Sequence, residues 1–122
     1  MIIQLNTDKH IVGSPALAAQ VERDLTKTLK RFTGRLTRIE VHLSDLNSSG
    51  SGPDDKRCVL EARVTDSGMA PVSANHQAST VALAVDGAAE KLSRALSSAF
   101  GKRDAVRPAQ SQPDGPGELS QD

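Results

Sequence analysis

Along this chain the spacing of apolar residues switches from every second position to every third or fourth and back again, and that alternation leaves few folds open. Ile2 to Thr7 sets Ile3 and Leu5 against Gln4 and Asn6, the period of a half-buried strand. Ser14-Pro15 then offers an N-cap hydroxyl and a proline at the first helical position, where its missing N–H costs nothing. Leu17, Ala18, Val21, Leu25, Leu29 and Phe32 follow at spacings of three, four and seven, and Gly34 is a natural stop, which predicts a helix from Pro15 to Thr33. Leu36 to Leu43 returns to period two, with Ile39, Val41 and Leu43 on one face and Arg38, Glu40 and His42 on the other. Asn47 to Asp55 holds only small, polar or turn-forming residues and reads as a mobile hairpin connection. In the next strand Cys58, Leu60, Ala62 and Val64 face the core, while Val59, Glu61, Arg63 and Thr65 face out. Asp66-Ser67-Gly68 turns the chain into a short fourth strand from Val72 to about His76. From Ser79 or Thr80 onward, Val81, Val85, Ala88, Ala89, Leu92, Leu96 and Ala99 form one helical stripe that closes at Phe100-Gly101. The order β-α-β-β-β-α implies an α+β fold of two layers, with both helices packed on one face of a four-stranded sheet and the other face polar and solvated.

A chain of 122 residues fits one ordinary domain, assigned here to residues 1–103. Residues 104–122 lack apolar periodicity and are dense in Pro, Gly, Ser and Gln, so they are expected to form a disordered acidic tail. The formal net charge is zero, which by itself gives no hint of a nucleic-acid partner. The tail hides an asymmetry, however. Up to Arg103 the chain carries 14 basic and 11 acidic residues, and the compensating acids Asp104, Asp114, Glu118 and Asp122 lie beyond. Cys58 is the only cysteine, so a scaffold stapled by internal disulfides is excluded and a reducing compartment is expected. The N-terminus lacks the basic and long apolar regions of a signal peptide, and no run approaches the roughly 20 apolar residues that span a bilayer. These features together predict a soluble cytoplasmic protein.

At 100° per residue, the apolar residues of the first helix fill an arc of about 120°, and Arg23, Lys27, Lys30 and Arg31 fill about 100° on the opposite side. Lys91 and Arg94 lie opposite the apolar stripe of the second helix, with Lys102 and Arg103 at its end. Such clusters displace condensed counterions from RNA, a salt-sensitive and largely sequence-independent source of affinity. An ordinary solvated helix face would look the same from spacing alone. The chain has no Trp or Tyr, and Phe32 and Phe100 both fall on apolar stripes, so stacking of bases on exposed rings is not expected. A double-stranded-RNA-binding domain shares part of the element order, but Ser79-Thr80-Val81-Ala82 lacks the lysines such domains carry at the start of their second helix. His10, His42 and His76 lie in separate elements without metal-ligand spacing, Cys58 points inward, and Ser48 to Gly52 lacks the spacing of a phosphate loop. Asp86 has no visible catalytic companion. No catalytic residue, metal, cofactor or small-molecule substrate is therefore expected.

Several segments carry a family resemblance over nearly Ile2 to Arg103: Ile3-Gln-Leu-Asn6, Ser14-Pro-Ala-Leu17, Lys27-Thr-Leu-Lys-Arg-Phe32, Ala84-Val-Asp-Gly87 and, most specifically, Glu90-Lys-Leu-Ser-Arg-Ala-Leu96. The chain resembles the short forms of the ribosome hibernation promoting factor family, which includes the ribosome-associated inhibitor called protein Y. That resemblance implies binding to ribosomal RNA in the decoding region of the small ribosomal subunit, blocking messenger and transfer RNA in stationary phase or stress. It carries RNA contacts onto Lys27, Lys91 and Arg94, with Lys30 and Arg31 as further contacts. Asp24 stands where the family has a lysine, Ser97-Ser98-Ala99 replaces its lysine-rich helix end, and Val81-Ala82 replaces its aromatic or methionine, so a weaker grip is implied. The tail shows none of the second domain with which long members dimerise, and a monomer away from the ribosome is expected. The competing reading is a protein-interaction module using the polar sheet face around Arg38, Glu40, Glu61 and Arg63.

Overall fold

The computed structural model describes residues 1–46 and 55–105. The greater part of the expected hairpin connection and nearly all of the expected tail lie outside the described residues. The elements are β1 (Ile2–Thr7), α1 (Pro15–Thr28), a 3-10 segment (Lys30–Arg35), β2 (Leu36–Asp45), β3 (Lys56–Val64), β4 (Val72–Ala78) and α2 (Val81–Ala105). They form a four-stranded sheet in the order β1-β2-β3-β4, in which β1 runs parallel to β2 and the other neighbours are antiparallel. The β-α-β-β-β-α order and the two-layer α+β architecture are those that the periodicity implies.

Register lines up the core-facing side chains in rows across the sheet. Ile3, Ile39, Ala62 and Val72 form one row, and Leu5, Val41, Leu60 and Ala74 the next. Both helices close over these rows: Val21 and Leu25 from the first with Leu29 at its C-cap, and Ala84, Val85, Ala88, Ala89, Leu92 and Leu96 from the second, are buried in the same cluster. A third row runs through Leu43 and Cys58 and ends on His76, where a polar ring takes a helix-facing position at the sheet edge. Gly87 of α2 makes room for that ring, since a Cβ there would collide with the imidazole.

The first helix is shorter than its stripe predicts. It ends at Thr28 rather than Thr33, and residues 30–35 tighten into a 3-10 segment in which the Phe32 N–H donates to Leu29 O at 2.9 Å and the Thr33 hydroxyl to Lys30 O at 3.0 Å. Thr33 and Gly34 are poor α-formers, and the tighter winding delivers Phe32 to the end of α2, where its ring centroid lies 5.8 Å from that of Phe100. The second helix is longer than predicted, running through Gly101 to Ala105. Its last turn is held from outside. The Arg35 guanidinium lies 3.8 Å from the Phe100 ring centroid and pairs with Asp104 at 3.2 Å, and Arg103 Nη2 donates to Ser67 O at 2.7 Å. Strands β2 and β4 also each run two residues past their expected ends. Thr80 caps the start of α2, accepting from the Leu83 N–H at 3.1 Å, as Ser14 caps α1 by accepting from Leu17 at 3.1 Å.

Candidate nucleic-acid interface

Because β1, β2 and β4 run in one direction and each helix returns against the strand before it, α1 and α2 lie parallel and their C-terminal ends meet where Phe32 touches Phe100. Lys27 and Lys102 occupy the last turns of the two helices, with Lys30 and Arg31 on the 3-10 segment beside them. The partial negative charge of a helix C-terminus favours cations there. Arg23 sits one turn before Lys27, while Lys91 and Arg94 lie midway along α2. All eight sequence-predicted residues, Arg103 included, are exposed.

Pairing separates most of these cations from the rest, although Arg103 among them is paired and, outside them, Lys9 and Arg57 make none of the ion pairs among the described residues. Among the described residues, Arg23, Lys27, Lys30, Arg31, Lys91, Arg94 and Lys102 make none of the ion pairs. Arg35, Arg38, Lys56, Arg63 and Arg103 all do. Arg38 and Arg63 each approach Glu40 Oε2 at 3.6 Å, and Arg63 also meets Glu61 at 3.3 Å, so the middle of the sheet face neutralises itself. Positive charge left for an external anion is concentrated on the helix side.

Local contacts grade the residues within that set. Arg23 Nη2 donates to Gln20 Oε1 at 2.9 Å, and Gln20 in turn donates to the Asp24 carboxylate at 3.1 Å, so Asp24 stands beside the basic run without pairing with it. Arg31 lies 4.6 Å over the Phe32 ring, which orients its guanidinium. Arg103 is committed differently: besides its bond to Ser67, its Nε lies 3.9 Å from Asp66. The α2 helix is also polarised along its length. Asp86 and Glu90 are exposed in its first half, Lys91 follows at once, and Arg94, Lys102 and Arg103 lie in the second half before Asp104.

Sequence reasoning missed Arg35. Its Nη2 donates to Asp66 at 2.7 Å, and it reaches Asp104 and Phe100, tying the 3-10 segment, the β3–β4 turn and the end of α2 together. These partners lie 31 and 69 residues away, so no local pattern points to them. The hydrogen bond from Arg35 holds the Asp66 carboxyl below its ordinary value, and the same bond, with a second to Asp104, raises the guanidinium. Cys58 is fully buried, and burial pushes its thiol up to about 12, which makes it inert as a nucleophile. Among the described residues no group of His, Cys, Asp and Glu is arranged to hold a metal ion, and no helix is long and apolar enough to cross a membrane.

The family model described as sigma 54 modulation protein/S30EA ribosomal protein matches residues 6–104. The chain belongs to that family. The fold of this S30EA member is shared by the N-terminal domain of Protein Y from Thermus thermophilus, at 18% identity and a TM-score of 0.60, over 77% of this chain and 93% of that one. It is shared too by a ribosomal subunit interface protein from Coxiella burnetii, at 22% identity and a TM-score of 0.57, over 83% and 99% of the two chains. Among curated proteins nothing matches.

Proposed function

We propose that this S30EA-family chain is a cytoplasmic ribosome-binding translation inhibitor that grips ribosomal RNA in the decoding region of the small subunit during stationary phase or stress. The observation that carries the reading is the segregation of unpaired cations. Lys27, Lys30, Arg31, Lys91, Arg94 and Lys102 face solvent from the helix layer without a carboxylate partner among the described residues, while Arg38, Lys56 and Arg63 of the sheet are paired there and Arg57 is the sheet cation that is not. Membership of a family described by a ribosomal protein, and likeness to a chain titled a ribosomal subunit interface protein, support the ribosome as the source of that RNA. No step of catalysis is involved: the protein acts by occupying space.

Gradient sedimentation with purified small subunits tests this. Wild type is expected to co-sediment at low salt. If about six phosphate contacts form, affinity falls by roughly a thousandfold between 50 and 200 mM salt, as counterion release requires. A variant with Lys27, Lys30, Lys91 and Arg94 all changed to Glu is expected to stay at the top of the gradient; equal sedimentation of the two proteins defeats the assignment. A second reading, docking of a protein on the sheet, is favoured by three buried atoms without a hydrogen-bond partner on that face, Gln4 Oε1, Arg38 Nε and Arg57 Nε. Recovery of one protein partner after nuclease treatment, lost on Arg38 and Arg63 substitution, would select it.

A further inference from the structure

Beside the end of α2, the β3–β4 turn and the start of β4 leave an open groove of roughly 540 Å³, within the range of small-molecule sites. Its floor is apolar, built from Met69, Pro71, Val72 and Ala99, and its rim carries Lys102 and Arg103. Gly68 shapes the turn, with a φ of +78° that suits glycine. We propose that this groove takes one unstacked nucleotide of the bound RNA, with the base against Met69, Pro71 and Ala99 and its phosphate on Lys102 and Arg103; the proposal rests on the RNA-binding reading above and supplies a base contact which that reading lacks.

Three observations converge on a nucleotide. The chain has no Trp or Tyr, and Phe32 and Phe100 are 7% and 4% exposed and engaged with each other, so a splayed base at the helix ends finds no free Phe, Tyr or Trp ring. A thioether and a proline ring are the remaining surfaces that pack well on a base, and Met sulfur in particular favours contact with an aromatic edge. Charge at the rim suits an anion. Arg35, Lys102 and Arg103 together outnumber the neighbouring carboxylates Asp66 and Asp104, both of which are already engaged by Arg35. Arg103 is held in place by Ser67 O and Asp66, so its guanidinium is ordered before any ligand arrives, while Lys102 is without an ion pair among the described residues. The groove lies along the C-terminal end of α2, and Lys102 belongs both to its rim and to the unpaired cations of the helix layer.

The test is a methyl and amide NMR titration of the wild-type protein with uridine and adenosine 5′-monophosphates, with inorganic phosphate and a pentaglutamate peptide as separate arms. The nucleotides are expected to shift the Met69 methyl and the Ala70 and Ala99 signals, and phosphate alone to shift only Lys102 and Arg103. Met69 and Ala99 signals that stay put with both nucleotides overturn the proposal, as does pentaglutamate moving them as far as the nucleotides do. A parallel measurement uses Ala99→Leu, which fills the groove without adding a ring on which a base could stack and leaves every cation in place. It is expected to bind small subunits about tenfold more weakly, the size of one base contact, and binding equal to wild type speaks against the site. Failure of wild type to sediment with subunits, combined with nucleotide shifts at Met69, would remove the ribosomal reading and leave the groove standing.

Discussion

Asp66 shows how one carboxylate can govern the joining of distant segments. It accepts from Arg35, lies near Arg103 and has its pKa lowered chiefly by the Arg35 hydrogen bond; Asp8 is lowered in the same direction, chiefly by the Asp45 N–H that it accepts at 2.9 Å. Because the folded pKa of each lies below the unfolded value near 3.9, their contribution to stability is complete above that pH and disappears as pH falls through the folded pKa. Urea denaturation at pH 7 and pH 3 is therefore expected to show wild type losing stability on acidification, and Asp66→Asn losing less because it lacks the contribution from the start. Gly87 offers a second residue-level test. Alanine normally favours a helix over glycine by about 1 kcal/mol, but here the new methyl meets the His76 ring. Gly87→Ala is expected to lower the melting temperature, and His76→Ala in the same chain to recover it; a Gly87→Ala protein as stable as wild type would show that the ring moves aside freely.

At the scale of elements, the two helix ends decide one another. Phe100 is buried against Phe32 and beneath Arg35, at the very turn where the sequence places a stop at Gly101. Removing the ring takes away the floor on which both the 3-10 segment and the last turn of α2 rest. Phe100→Ala is expected to cost about 3–5 kcal/mol in denaturant unfolding, the usual range for a buried phenylalanine, and to fray α2 beyond Phe100 in amide exchange. A loss confined to about 1 kcal/mol would mean that the helix end is held by Arg35 and Arg103 alone. The strands needed no such help. Their alternation fixes which side faces the helices, since a slip by one residue would bury Arg38, Glu40 and Arg63.

For the whole molecule, the zero net charge conceals a division between a sheet whose Arg38, Lys56 and Arg63 are paired and a helix layer whose Lys27, Lys30, Arg31, Lys91, Arg94 and Lys102 are unpaired among the described residues. Charge removal on the two faces should therefore differ in effect: Arg38→Ala with Arg63→Ala is expected to leave small-subunit binding within about twofold, whereas Lys27→Ala with Lys91→Ala weakens it by about tenfold or more. Similar losses from both pairs, read in the same sedimentation assay, would place the contact surface elsewhere. The order of elements, the core-facing residues and the outward placement of Lys27, Lys91 and Arg94 were all legible in the sequence, because period and burial are coupled within each element. Helix ends were not. Whether α1 relaxes into a 3-10 turn, or α2 runs past Gly101, depends on Phe32, Phe100, Arg35 and Asp104 meeting across the fold. Pairing was equally out of reach: Arg103 resembles Lys102 in the sequence, and only the β3–β4 turn beside it commits one to Ser67 and Asp66 and leaves the other without an ion pair among the described residues. Local periodicity determined the architecture, then, while the availability of each cation was settled by contacts between residues far apart in the chain, which only the folded backbone brings within hydrogen-bonding range.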